Sequence, residues 1–260
     1  MYYKEFLRTR TALLVFAIIA AGVWLILGVL SLVLPGSMTG DTHKVAIEQT
    51  PWPALLGAAG FAAAILATVL GSVLSQENEG HLELAFTKPY SRVLYASTAI
   101  AVDVAAILLA ELIGFAAILL HYAVFHCPSC PGQQEQLVGG PDPFAAALSC
   151  VLFPLAWYAG IVALTASLRR SANIVRATIW PVAITLVALQ QVAPAGAWQA
   201  WHNFFVGLNV LNPLYYVWLQ NTTNGSDMPT VPLQVAVVVL ALFAIAGWGA
   251  AMLQWRRVEA

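Results

Sequence analysis

Lysine is close to missing from this chain. Lys4, Lys44 and Lys88 are the only three in 260 residues, and none of them follows a glycine. A P-loop requires GxxxxGK before Ser or Thr, because its lysine must reach the β- and γ-phosphates. The chain therefore does not bind ATP in that manner. HExxH and GxSxG are missing as well, which removes the zinc-protease helix and the serine-hydrolase elbow. Charge of either sign is scarce: 9% of residues are Asp, Glu, Lys or Arg, against roughly a quarter in a soluble domain. No basic stripe suits nucleic acid.

What is present is apolar. Hydrophobic residues make up 60% of the chain, and the mean hydropathy is +0.79. A helix needs about 20 apolar residues to cross the hydrocarbon core of a bilayer. Six stretches meet that length, at 12–34, 53–75, 93–121, 144–167, 174–193 and 232–253, each bounded by Pro, Gly or charge. Spans of a β-barrel would alternate apolar and polar residues, and these runs do not. The first run follows Lys4, Arg8 and Arg10, but it is longer than the apolar core of a signal peptide. It reads as a retained spanning helix. The expected fold is all-α: one transmembrane domain over residues 1–260 with six transmembrane helices.

Basic residues set the orientation, since Lys and Arg collect on the cytoplasmic side. With the amino terminus inside, Lys4, Arg8, Arg10, Lys88, Arg92, Arg169, Arg170, Arg176, Arg256 and Arg257 are all inside, and Lys44 alone is outside. Both ends are thus expected in the cytoplasm, with the chain in the inner (plasma) membrane. Residues 4–11 suit a short amphipathic helix on the inner leaflet. The stretch from Pro194 to Asn224 carries seven aromatic residues of Phe, Tyr or Trp, including Trp198, Trp201 and Tyr215, and no Lys or Arg. It is expected to enter the outer leaflet and return, or to lie in the interface.

The inner loop at 76–92 concentrates charge. Glu77, Glu79 and Glu83 stand beside Lys88 and Arg92, around an apolar Leu82, Leu84, Ala85 and Phe86. One reading is a solvated loop; the other is a small helix across the membrane face, turned by Pro89 into the third span. The string Glu79-Gly80-x-Leu82-Glu83-Leu84 … Thr87-x-Pro89-x-Ser91-Arg92 … Tyr95 resembles a pattern of the type-2 permeases of ATP-binding-cassette transporters. Leu164–Ala172 and Asn212-Pro213-Leu214-Tyr215 are similar to further stretches of that family. The chain departs from those subfamilies that carry a large extracellular domain.

The resemblance implies a permease subunit, an exporter more than an importer, that is not an enzyme by itself. It implies that the 76–92 loop docks on a separate ATP-binding subunit holding ATP and Mg. Glu77, Glu79, Gly80, Glu83, Phe86, Pro89 and Arg92 are the matching coupling residues. It also implies a second permease copy, as a homodimer within the lipid bilayer.

Ionisable residues inside spans are costly and therefore functional candidates. Asp103 and Glu111 lie in the third span and His121 near its outer end. At about 100° per residue, Asp103 and His121 share one face and Glu111 sits about 80° away from Asp103. They suit either a polar contact between helices or a translocation path. Ala59, Ala63, Ala67 and Gly71, with Gly60, Ala64, Thr68 and Ser72 beside them, let helices approach closely, within the chain or between two copies. Pro181 is expected to kink the fifth span. Cys127 and Cys130 form a CxxC on the outer side, where a disulfide persists. With His126 they offer only three of the four ligands a zinc site wants. The alternative function is therefore a membrane thiol-disulfide oxidoreductase using that pair, although Cys150 alone supplies no second relay pair.

Overall fold

A chain in hydrocarbon must satisfy its backbone internally, and long apolar runs can do so only as helices or as closed barrels. The computed structural model of the protein describes residues 2–33, 52–78, 92–125, 143–168, 171–192, 199–221 and 231–257. Among these residues every regular element is a helix: α1 (Tyr2–Val33), α2 (Trp52–Leu70), α3 (Val73–Asn78), α4 (Arg92–Phe125), α5 (Pro143–Thr165), α6 (Ala172–Val192), α7 (Gln199–Asn209), α8 (Pro213–Asn221) and α9 (Leu233–Arg257). The all-α expectation holds. Six stretches are long and apolar enough to cross a membrane: Phe6–Ile26, Leu55–Ser75, Val93–His121, Phe144–Thr165, Ala172–Gln190 and Leu233–Arg257. The chain is a multi-pass membrane protein. Residues 4–11 are helical and continue without a break into the first span within the 32 residues of α1, the spanning window starting at Phe6.

The bundle is built around two helices. In the second span 67% of the apolar window is buried and in the fourth 61%, whereas the first buries 6% and the fifth 17%. α5 packs against α2 on one side and α9 on the other, while α4 packs on α2 and carries α1. Small side chains explain why α2 occupies the centre. Ala59, Ala63, Ala64 and Ala67 are fully buried, and a Cβ on Gly114 of α4 would touch the Ala59 Cβ at 3.4 Å. Close backbone approach gains dispersion contacts that larger side chains would forfeit. The small-residue row of α2 is thus used inside one chain.

The second span is not one straight helix. It breaks between Leu70 and Val73, at Gly71 and Ser72. A Cβ on Gly71 would lie 2.6 Å from the Ile161 Cγ2 of α5, so only glycine admits α5 at that distance. Gly71 N still donates to the Ala67 carbonyl at 2.8 Å. The Thr165 hydroxyl stands 2.9 Å from the Gly71 carbonyl and 2.8 Å from that of Ile161, and its one proton is shared between them. Pro181 lies inside α6 and Pro154 inside α5; the helical assignment runs through both.

Candidate functional site

Four polar features lie within this apolar bundle. The first joins α1, α4 and α5. Asp103 is completely buried, and its Oδ1 meets Arg8 Nη2 at 2.6 Å. Tyr158 donates its hydroxyl to the other carboxylate oxygen at 2.8 Å, and Thr9 approaches Oδ1 at 3.5 Å. An anion at such depth is tolerated when paired and hydrogen-bonded. Asp103 is therefore the satisfied contact between helices that the sequence left open, and it ties the loosely packed α1 to the core. Arg8, expected on the membrane surface, turns inward to make this pair.

Glu111 is different. It stands eight residues further along α4, about 12 Å away by helical rise, and is 3% exposed. Neither carboxyl oxygen has a hydrogen-bond partner among the described residues. It faces α2, where a Cβ on Gly60 would sit 3.6 Å from Glu111 Oε1 and 2.8 Å from the Cys150 carbonyl of α5. A Cβ on Gly57 would meet Cys150 Sγ at 3.4 Å. Glu111 thus borders a notch where α2, α4 and α5 meet. Asp103 reaches Arg8 of α1 and Tyr158 of α5, whereas Glu111 stands by Gly60 of α2 and Cys150 of α5. His121 returns to the Asp103 face and meets Trp24 of α1 edge-on, with ring centroids 6.2 Å apart.

The third feature is the connection between the fifth and sixth spans. α7 and α8 are joined by a turn at Val210–Asn212. Asn209 donates to the Leu186 carbonyl at 3.0 Å and to Gln190 Oε1 at 2.7 Å. Asn212 donates to the Ala183 carbonyl at 3.0 Å. Ala183 is nine residues before the end of α6, so the turn reaches roughly 14 Å back along that helix at 1.5 Å per residue. The segment enters alongside α6 and returns, as the aromatic, uncharged sequence suggested. At the turn Val210 N, Leu211 N and Asn212 N donate to the carbonyls of Val206, Leu208 and Asn209. Asn212 Oδ1 accepts from Leu214 N at 3.1 Å, and Asn212-Pro213 is an N-cap followed by a proline at the first helical position. Gln190 also donates to the Tyr215 hydroxyl at 3.3 Å on the returning helix.

The fourth is aromatic. The indoles of Trp157 (α5) and Trp180 (α6) both donate to Thr68 Oγ1 of α2 at 2.9 Å, and that hydroxyl donates to the Ala64 carbonyl. The hydroxyl is then used to capacity, with two acceptances and one donation. Trp180 stacks obliquely on Trp157 at 4.4 Å and on Phe61 at 4.9 Å. Thr68→Val keeps the shape but strands both indole N–H groups. A loss of about 2 kcal/mol is expected, read as a lower thermal midpoint and a shifted tryptophan emission.

Of the loop residues expected to couple to a partner, Glu77 lies in the last turn of α3 and Arg92 opens α4. Glu79, Gly80, Glu83, Phe86 and Pro89 lie outside the described residues, as do Cys127 and Cys130. Cys150 is buried in α5.

No family model matches the chain, and no curated protein matches it.

Arg8, Tyr158, Thr68, Asn209 and Gln190 carry the interior contacts without having stood out in the sequence. For Arg8 the sequence offered little, since it is one of three bases ahead of the first apolar run. For Asn209 and Gln190 no signal existed, since each is a polar residue at the edge of an apolar run.

Proposed function

We propose that the chain is the membrane-spanning permease subunit of an ATP-driven transporter of the ATP-binding-cassette type-2 kind. On this reading it works as an exporter, and a separate subunit binds ATP and Mg. The observation that carries the reading is the pair of short helices α7 and α8, packed against α6 and α5 between the fifth and sixth of six spans. That layout stands beside the string at 79–95 that resembles the family's coupling loop. The lysine-poor sequence fits a division of labour, because an ATP-driven transporter whose membrane chain has no P-loop hydrolyses ATP on another subunit. The basic residues support placing both ends in the cytoplasm of the inner (plasma) membrane.

The coupling loop leaves α3 at Asn78 and re-enters at Arg92, so any push on it is passed directly to α2 and α4. α2 shares the centre of the bundle with α5, and α4 packs on α2. Closure of an ATPase on Glu77, Glu79, Glu83 and Arg92, with Phe86 filling a pocket, would thereby move the packed core and not a loose periphery. The second copy would cover the faces of α1 and α6, which expose most of their length.

Affinity purification of the chain from its native membrane tests this reading. An ATP-hydrolysing subunit is expected to co-purify with the unaltered chain. Glu79→Arg and Gly80→Trp should weaken that association roughly tenfold or more, the size of losing one central contact. Purification without any ATPase, or unchanged association in both variants, would count against the proposal.

A further inference from the structure

Two acids occupy the same helix and meet opposite fates. Asp103 is held by Arg8 and Tyr158, whereas Glu111 is just as deeply buried and both its oxygens go without a hydrogen bond among the described residues. An ionised carboxylate in that position costs several kcal/mol. Among the described residues no cation pairs with it. On the helices packed against α4, Arg8 and Tyr158 are engaged with Asp103. Arg10, Arg256 and Arg257 are exposed. Glu77 lies at the end of α3, and on α4 itself His121 sits ten residues further on against Trp24. The ionisable group that borders the same notch is Cys150, which brings no positive charge.

The notch is also tight. A single carbon added to Gly60 would already stand 2.8 Å from the Cys150 carbonyl and 3.6 Å from Glu111 Oε1. A hydrated metal ion does not fit there; a proton does. We propose that Glu111 is a proton-binding site within the membrane domain, holding its proton while α2, α4 and α5 are packed together. Release then requires water or a base to reach the notch, and this requires the three helices to part. Proton occupancy and helix arrangement are therefore linked, each biasing the other. The proposal does not rest on the permease reading, and its test needs neither substrate nor partner.

The probe is dicyclohexylcarbodiimide, applied to the full chain reconstituted in phosphatidylcholine vesicles. This apolar reagent adds across a protonated carboxyl group. The carboxyl oxygen bonds to the central carbon of the carbodiimide and the proton passes to a nitrogen, with no leaving group. Rearrangement then gives a stable N-acylurea, which is located by peptide mass spectrometry. Label is expected on Glu111 and not on Asp103, falling as the medium is made alkaline and unaffected by added sodium chloride. Glu111→Gln should lose the label while keeping its thermal midpoint, because a neutral side chain replaces a neutral one. Glu111→Asp should retain the label if the glutamine variant does not fold. An unlabelled Glu111, equal labelling of Asp103, or protection by sodium at fixed pH would overturn the proposal.

Discussion

Arg8→Ala is expected to destabilise the protein by about 3–5 kcal/mol, the usual cost of stripping one partner from a buried ion pair. The change takes the guanidinium away from Asp103, a carboxylate with no exposed surface. α1 packs mainly on α4, and only 6% of its spanning window is buried. The readout is the thermal midpoint in detergent, together with protease sensitivity of the amino-terminal helix. Asp103→Leu alone should be similarly damaging, because Arg8 is then left half-buried without its anion. Arg8→Met combined with Asp103→Leu should recover most of the loss, since an apolar pair replaces a buried ionic one at little net cost. A single variant that melts like the unaltered chain would show that the pair contributes nothing.

Gly247→Leu should be the most damaging change in α9. A Cβ at Gly247 would lie 2.8 Å from both the carbonyl carbon and oxygen of Ala159 and 2.9 Å from its Cβ. The obstacle is the backbone of α5, which cannot rotate aside as a side chain can. α9 must move away from the helix that it packs against most extensively, and overpacking of this kind costs about 1–3 kcal/mol or more. Gly249 is the control. It lies two residues away on the same helix with nothing within 4 Å of its Cβ position. Gly249→Leu should leave the thermal midpoint unchanged or raise it slightly, because leucine favours the helix more than glycine does. Equal effects at the two positions would mean that the close approach of α5 and α9 is not what Gly247 provides.

The spans were legible because hydrocarbon imposes a length and a composition that the sequence displays directly. The third span was expected at 93–121 and lies at Val93–His121. That the stretch between the fifth and sixth spans would be re-entrant or interfacial was suggested for a related reason: an aromatic stretch without Lys or Arg has few other places to lie. The break at Gly71 was hidden, because glycine served equally well in a small-residue row of an unbroken helix. It became a bend only against Ile161, which is ninety residues away in sequence. The roles of Asp103 and Glu111 were half legible. Helical periodicity placed them on different faces, but which neighbour filled each face depended on long-range packing. Arg8 shows the same limit, since a basic residue before an apolar run looks like a surface anchor until its acid is found.

The Arg8–Asp103 pair also sets a timetable for assembly. Its two members are 95 residues apart in the chain. At about 5–20 residues per second, the acid follows the base out of the ribosome by roughly 5–20 s. During that interval α1 stands in the bilayer with an unmatched guanidinium, which long side chains accommodate by reaching toward the headgroups. Docking of the first helix is therefore a late event in biosynthesis, and it waits for the third span to deliver its carboxylate.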